Sequence, residues 1–281
     1  MLVFKTIDET RKFVSQAREL DQTIGFVPTM GALHPGHLEL MRRAKKENDL
    51  LVVSIFVNPI QFNNATDLKK YPRVLFKDLE MLKTIDCDAV FVPSVKEMYP
   101  EPINKTFDFG LLEKVMEGAF RPGHFNGVAI VVEKLFEIVE PHKAYFGEKD
   151  FQQLAIIKKL VEMERIPVEI IPCAIVREND GLAMSSRNVR LSPEERAIAP
   201  RIFKVLKEVA GRASEMDPVL LQQWGMKQLQ AEEAFDVEYF QIAEDVTLQT
   251  IVNWQIGQDA LAFVALKLGQ VRLIDNIRIN S

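Results

Sequence analysis

The fold of this chain is decided by the stretch Thr23-Ile-Gly-Phe-Val-Pro28, followed directly by Thr29-Met-Gly-Ala-Leu-His-Pro-Gly-His37. The first six residues are almost wholly apolar and predict a buried strand. Between His37 and Glu47, apolar residues recur among charged ones at the spacing of an amphipathic helix. A strand that passes through a short loop into a helix is the repeating unit of α/β folds, so the stretch predicts that class.

The same alternation of apolar runs and helical patterns continues to about residue 176. Further strands are predicted over 50–57, 88–93, 144–147 and 168–176, and a helix is predicted over 151–165. The segment 128–139 lies between strands and is read as a helix, which its Glu-Lys-Leu-Phe-Glu run favours; its Val-Ala-Ile-Val-Val run favours a strand, which stays as the alternative. Apolar strands that alternate with helices predict a parallel sheet with helices on both faces.

The pattern changes after about Arg177. Ser192-Pro-Glu-Glu195 forms a capping box that predicts one long helix to about Ala213, and a second helix is predicted over 218–231. Strands follow over 237–243, 260–268 and 271–279, and Gly269-Gln270 is typical of a hairpin turn between the last two. We therefore predict two domains, an α/β domain over 1–176 and a smaller α+β domain over 177–281.

Composition excludes several classes of protein. Hydrophobic residues make up 47% of the 281 and charged residues 27%, so a disordered or fibrous chain is excluded. The net charge of −5 gives no general attraction to nucleic acid or to an anionic membrane, and no apolar run approaches the ~20 residues of a membrane helix. The start of the chain lacks the pattern of a secretory signal, and we expect Cys87 and Cys173 to be reduced core thiols. These features predict a cytoplasmic protein without a nucleic-acid or membrane partner.

The loop after the first strand is the leading candidate for a ligand site. Ligands of parallel α/β sheets bind beyond the carboxyl ends of the strands. Gly31 and Gly36 allow a close approach of the backbone, and the helix start offers unpaired N–H groups to an anion. His34 and His37, two of the four histidines, lie three residues apart there and can both reach one phosphate group. The alternatives are two exposed loop histidines or, less well supported because no third ligand lies nearby in sequence, a zinc pair.

Three other segments are weaker candidates when each is read alone. Gly147-Glu-Lys-Asp150 lies between a short strand and a helix, and it can also be a plain helix start with a solvated lysine. Gly181-Leu-Ala-Met-Ser-Ser-Arg187 places two hydroxyls beside a guanidinium, although a polar loop between domains reads similarly. Asn58-Pro-Ile-Gln61 follows the second strand and offers neutral amides to a small polar substrate.

Taken together, these segments resemble the pantoate–β-alanine ligase family. His-x-Gly-His alone is shared with adenylyl- and cytidylyltransferases and class I aminoacyl-tRNA synthetases, but all the segments in this order are far more specific. The resemblance covers essentially the whole chain and loosens over 200–270; Ile60 stands where a threonine is common. The matching stretches are Phe26–His37, Ser54–Phe62, Tyr71-Pro-Arg73, Arg121-Pro-Gly-His-Phe-Asn-Gly127, Tyr145–Asp150 with Gln152-Gln153, Asp180–Asn188 and Leu273-Ile-Asp-Asn276.

The resemblance implies a Rossmann-like nucleotide-binding domain, a smaller C-terminal lid domain and a homodimer. It also implies an ATP-dependent condensation of (R)-pantoate with β-alanine through a pantoyl adenylate, which gives pantothenate, AMP and pyrophosphate. Mg²⁺ is expected with the polyphosphate, and its protein ligand is unknown, with Asp78 as one candidate.

The same resemblance assigns the site residues. Pantoate would be held by Gln61 and Gln153, with Asn58 beside them. His37 is implied as the proton donor, and it would stabilise the departing phosphates with His34, Lys149, Ser185, Ser186 and Arg187. The residues that would contact ATP are Met30, Gly31, Ala32, Leu33, His34, Pro35, Gly36, His37, Gly147, Glu148, Lys149, Asp150, Val176, Met184, Ser185, Ser186 and Arg187.

Two other functions compete with this one. A nucleotidylyltransferase that stops after transferring a nucleotide would need a more basic substrate pocket than the neutral Asn58 and Gln61 offer. A non-enzymatic nucleotide-binding regulator would be expected to have lost at least one catalytic cluster, and all of them are present. A tRNA-charging role is disfavoured by the net charge of −5.

His37→Ala is predicted to impair adenylate formation far more than ATP binding, because the imidazole acts on charge that develops in the transition state. Adenylation rates and ATP affinity of the purified variant would be measured side by side. A variant with full adenylation turnover and weakened ATP binding would contradict the assigned role.

Overall fold

The computed structural model describes residues 1–255, 257 and 259–279 and divides the chain into two compact units. Unit 1 comprises Met1–Glu113, Gly118–Glu148 and Gln153–Ala174; unit 2 comprises Lys114–Glu117, Lys149–Gln152 and Ile175–Ser281. The second unit thus takes two short segments from within the first 176 residues. A domain boundary at residue 176 stays a prediction.

A parallel sheet forms the centre of unit 1. Among the described residues it has six strands in the order β1-β4-β3-β2-β5-β6, and every pairing is parallel. The predicted α/β class is confirmed. The strands are β1 (Leu2–Phe4), β2 (Ile24–Thr29), β3 (Leu50–Ile55), β4 (Ala89–Phe91), β5 (Lys143–Gly147) and β6 (Glu169–Cys173).

The strand order has a switch point between β2 and β5. The chain passes from β2 to β3 and β4 on one side, and it continues through β5 and β6 on the other. Loops that leave the carboxyl ends of the two central strands therefore diverge, and a crevice opens there in folds of this kind. The glycine- and histidine-containing loop begins at this point, directly after β2.

Helices cover both faces of this sheet, since alternate strand residues enter two separate apolar cores. Phe26 and Val52 face one core, whereas Val27 and Val53 face the other. The helices are α1 (Ile7–Glu19), α2 (Pro35–Glu47), α3 (Ala65–Lys70), α4 (Leu75–Lys83), α5 (Val95–Met98), α6 (Met116–Phe120), α7 (His124–Val139) and α8 (Phe151–Glu164), the sixth and eighth including residues of both units.

Segment 128–139 is helical, as its place between strands predicts. It forms most of α7, which buries residues on all sides of its axis. Burial in a layer between other elements outweighs the strand preference of its β-branched run. Two elements, β1 and α1, are not among those predicted from the sequence, although a capping box of Thr6 and Glu9 marks the start of α1.

Unit 2 contains helices and an antiparallel sheet. The capping box at Ser192 is confirmed, but the single long helix to Ala213 is wrong: α9 (Pro193–Ile198) ends before α10 (Arg201–Gly211) begins. Pro200 lies at the break, because proline has no N–H to continue the helical hydrogen bonds and its ring clashes with the preceding turn. The remaining elements are α11 (Pro218–Gln230), β7 (Phe235–Glu244), β8 (Ala260–Leu268) and β9 (Val271–Ile279), in the sheet order β7-β8-β9.

No helix in the described part of the chain is long and apolar enough to cross a membrane.

Gly225→Ala is predicted to destabilise unit 2. A Cβ atom at Gly225 of α11 would lie 2.6 Å from the buried ring of Phe240 and 3.0 Å from Val209 Cγ2. Overpacking should outweigh the helix-propensity gain of alanine and lower the free energy of unfolding by about 1–2 kcal/mol. The matched control is Gly211→Ala in α10, where an added Cβ meets nothing within 4 Å. Thermal unfolding should show a lower midpoint for the first variant only; equal midpoints would contradict the packing argument.

Candidate active site

The loop after β2 makes a sharp turn through two residues with positive φ. Gly31 has a φ of 76° and Ala32 a φ of 51°. Thr29 supports the turn, because its Oγ1 accepts a hydrogen bond from the Gly31 N–H at 3.1 Å and donates one to the Ser54 carbonyl at 2.9 Å. Five residues, 30–34, separate the last residue of β2 from the first residue of α2.

A buried carboxylate holds this turn from the side of α4. Asp78 Oδ2 accepts a hydrogen bond from the Ala32 N–H at 3.0 Å, and Oδ1 accepts one from the Leu33 N–H at 2.8 Å. A Cβ on residue 31 would lie 2.9 Å from Asp78 Oδ2, so the close approach requires glycine. From the sequence, Asp78 is expected only as a candidate Mg²⁺ ligand. The structure places it as the anchor of the loop, 46 residues away in sequence.

The two histidines of the loop lie against each other at the start of α2. Their ring centroids are 3.9 Å apart, and His34 is the N-cap residue. His37 Nδ1 accepts a hydrogen bond from the His34 backbone N–H at 3.3 Å. A neutral His37 ring in this arrangement carries its proton on Nε2, where it can be donated. The first turn of α2 holds no acidic residue, so its positive end is available to an anion.

Gln61 lies nearby in a buried amide network of unit 1. Its Oε1 accepts a hydrogen bond from Asn58 Nδ2 at 3.0 Å, and its Nε2 contacts Met30 Sδ at 3.2 Å. Its main-chain carbonyl is 2.9 Å from His124 Nδ1. Gln61 therefore contacts the loop that follows β2 through Met30.

Asn58 orients Gln61 and is itself held on three sides. Its Nδ2 also donates to the Gly127 carbonyl at 3.0 Å, and its Oδ1 accepts from the Tyr99 hydroxyl at 2.9 Å. Burial raises the pKa of Tyr99, which keeps this hydroxyl protonated as a donor. Asn58 therefore orients the Gln61 amide. Sequence reasoning missed Tyr99, because nothing marks a residue 41 positions away as its partner.

The other predicted residue for pantoate, Gln153, lies in the first turn of α8 and is partly buried. Gly147 ends β5, and Glu148 begins the short 3-10 turn that continues through Lys149 and Asp150. These positions follow the carboxyl end of a central strand, as the sequence analysis predicts for a ligand loop.

In unit 2, the predicted hydroxyl and guanidinium groups follow a tight hairpin. The Met184 N–H donates to the Val176 carbonyl at 3.0 Å, which brings these two predicted ATP contacts together. Gly181, at the turn, has a φ of 94°, and a Cβ there would lie 2.3 Å from the Phe203 ring. Ser185 Oγ then accepts from the Arg187 N–H at 3.2 Å and shapes the turn that includes Ser186.

A Mg²⁺ ion is not given a protein ligand by this arrangement. Within residues 1–255, 257 and 259–279, no group of three or more His, Cys, Asp or Glu side chains is placed to hold a metal. Both oxygens of Asp78 face backbone N–H groups. Mg²⁺ commonly binds through substrate phosphates and waters with few protein ligands, so the site fits an ion that arrives with a nucleotide.

The fold and the loop define a class: α/β proteins with a strand-to-helix turn at the switch point of a parallel sheet, a place suited to an anion. A family model described as pantoate-beta-alanine ligase matches residues 2–278. The pantothenate synthetase of Porphyromonas gingivalis is 51% identical over 278 residues, which is 99% of each chain.

Solved structures agree with this match. Pantothenate synthetase from Thermus thermophilus superposes with a TM-score of 0.93 at 41% identity over 100% of both chains. Pantoate-beta-alanine ligase from Francisella tularensis, in a complex with beta-gamma ATP and beta-alanine, has a TM-score of 0.82 at 36% identity and covers 99% of this chain and 97% of that one. The chain belongs to the pantoate–β-alanine ligase family and is an enzyme of the ligase class.

Asp78→Asn is predicted to loosen the loop, because an amide can accept with only one of its two terminal atoms and leaves a buried N–H without its acceptor. The free energy of unfolding should fall by about 1–3 kcal/mol, and the amide protons of Ala32 and Leu33 should exchange faster with solvent. Denaturant titration and hydrogen exchange measure the two effects. The matched control is Glu80→Gln on the same helix, whose exposed pair with Lys83 should contribute under about 1 kcal/mol. Unchanged exchange at Ala32 in the Asp78 variant would refute the anchoring role.

Proposed function

We propose that this chain condenses (R)-pantoate with β-alanine at the expense of ATP, in two steps. A carboxylate oxygen of pantoate attacks the α-phosphorus of ATP, and the bond to the β-phosphate oxygen breaks, which releases pyrophosphate with its electron pair. The β-alanine amine then attacks the acyl carbon of pantoyl adenylate, AMP leaves, and the new amide loses a proton. The products are pantothenate, AMP and pyrophosphate.

The observation that carries this proposal is the pair of histidine rings at the start of α2. Negative charge grows on the leaving pyrophosphate in the first step. The positive end of α2 and the Nε2–H of His37 are both suited to stabilise that charge, and His34 adds a second imidazole at 3.9 Å between ring centroids. Because Asp78 holds the preceding turn in place, these groups need little reorganisation when the charge develops.

Pantoate recognition is assigned to neutral amides. Gln61 and Gln153 would donate to and accept from the hydroxyl and carboxylate groups of pantoate, and Asn58 would keep Gln61 in one orientation. A neutral pocket suits a carboxylate that must act as a nucleophile, because a directly paired cation would stabilise it in the ground state.

Several further contacts with the nucleotide are assigned to residues of unit 2. Lys149 would bind phosphate oxygens as a point charge, and Ser185, Ser186 and Arg187 would donate hydrogen bonds to the same group. Mg²⁺ would supply neutralisation of the polyphosphate charge when it is bound. The other predicted ATP contacts are Met30 to Gly36, Gly147, Glu148, Asp150, Val176 and Met184.

Two further properties are proposed with the reaction. A homodimer is expected from the family resemblance. A cytoplasmic location is supported by the cysteines: Cys87 and Cys173 are free and buried, and burial raises the pKa of Cys87 to about 12, as expected of unreactive reduced thiols.

The decisive experiment is isotope exchange between pyrophosphate and ATP with Mg²⁺ present and β-alanine absent. Exchange should require pantoate, because the reverse of adenylation needs pantoyl adenylate on the enzyme. The control is the same assay without pantoate or any other acid. Exchange that ignores pantoate, or no exchange from folded protein that binds ATP, would favour a nucleotidylyltransferase with another acceptor or a nucleotide-binding regulator.

A further inference from the structure

The segment Leu273-Ile-Asp-Asn276 of β9 has no role in the proposed reaction, yet it carries two adjacent buried polar residues. Asp275 is 5% exposed and Asn276 is 4% exposed. Buried polar side chains are costly unless they are hydrogen-bonded, so the partners of these two residues indicate their purpose. The partners that follow all belong to unit 2.

Asn276 holds the main chain of Lys149. Its Nδ2 donates a hydrogen bond to the Lys149 carbonyl at 3.1 Å, 127 residues away in sequence. Lysine has a flexible side chain, and the region that its ammonium group can reach depends on the position of its main chain. Asn276 fixes the main-chain position of Lys149.

Asp275 holds the hairpin that leads to Ser185 through a two-pronged ion pair with Arg177. The Arg177 Nη1 and Nη2 atoms donate to the Asp275 oxygens at 2.6 Å and 3.0 Å. The same guanidinium donates to the Gly181 carbonyl at 3.1 Å, and its Cζ lies 3.7 Å from the centre of the Phe203 ring. The hairpin is therefore tied to β9 through Arg177 on its first arm, and the same side chain holds the turn at Gly181.

The two ties are coupled to each other on β9. The Asn276 N–H donates to Asp275 Oδ1 at 2.8 Å, and Arg177 Nη2 donates to the Asn276 carbonyl at 3.1 Å. Burial raises the pKa of Asp275, while the charges of Arg177 and, more weakly, Lys149 oppose that rise. A buried ion pair adds little net stability compared with apolar residues of similar size. The Arg177–Asp275 pair is therefore better explained by the geometry that it imposes on the hairpin.

We propose that Asp275, Asn276 and Arg177 are positioning residues that hold two phosphate-binding segments, the Lys149 turn and the Ser185–Arg187 turn, in a fixed relation. They touch the main chain and the hairpin rather than the substrate. The inference rests on the proposed function, because it takes Lys149 and Ser185–Arg187 as the groups that stabilise departing pyrophosphate. A displacement of about 1 Å at such groups costs roughly a hundredfold in rate.

Asn276→Leu tests the proposal, since leucine keeps a similar size but cannot donate to the Lys149 carbonyl. In the pyrophosphate–ATP exchange assay on the full chain, the maximal rate should fall roughly ten- to a hundredfold, while the apparent KM for pantoate stays within about twofold. Arg177→Lys is the second variant. Lysine keeps the positive charge but cannot donate two parallel hydrogen bonds to Asp275, so the maximal rate should again fall while the KM for pantoate stays nearly unchanged. This variant keeps the test valid if the leucine variant does not fold.

The matched control is Ile242→Val, at a fully buried position of the same unit. It should lower the midpoint of thermal unfolding without changing the exchange rate at 25 °C. Wild-type rates in both Asn276→Leu and Arg177→Lys would overturn the positioning role. The positioning role would also be overturned if the exchange rate of Ile242→Val fell in proportion to its loss of thermal stability. Failure of pantoate-dependent exchange in the wild-type chain would instead refute the proposed function, so the two failures are distinguishable.

Discussion

The site of unit 1 depends on one interaction: the buried carboxylate of Asp78 accepts hydrogen bonds from the backbone N–H groups of Ala32 and Leu33. Those two groups belong to a turn with two successive positive φ angles, which is strained backbone for Ala32. Two hydrogen bonds to one buried carboxyl group compensate for that strain. With the turn held, His34 lies at the N-cap position of α2 and His37 lies against it, so both imidazoles lie together at the positive end of the helix.

The same principle recurs in two further places. The amide of Gln61 is oriented by Asn58, which is in turn held by Tyr99. In unit 2, the backbone of Lys149 is held by Asn276. In both places, a residue proposed to act on substrate is positioned by a buried amide side chain. A hydrogen bond of that amide joins parts of the chain that are far apart in sequence. Catalysis by electrostatic stabilisation requires such placement, because groups that must reorganise during the reaction lose much of their effect.

Much of the fold could be predicted because its signals are local. The strand-loop-helix stretch, the capping box at Ser192 and the final hairpin at Gly269 each depend on residues within a few positions of one another, and all three are found in the structure. One failure has an identifiable cause: the single helix expected to reach residue 213 is interrupted at Pro200. Within α7, which is helical as predicted, burial on all sides of the helix outweighs the strand preference of its β-branched run.

The sequence by itself determined the α/β class, the order of the candidate loops and the residue types available at each one, since periodicity and short motifs encode these properties. Only the tertiary structure decided which residues hold those loops. Asp78, Tyr99 and Asn276 reach partners 46, 41 and 127 positions away, and no local pattern announces such pairs. The physical reason is that a hydrogen bond depends on distance and direction in space, and a parallel sheet brings together segments that the chain separates by long crossover connections.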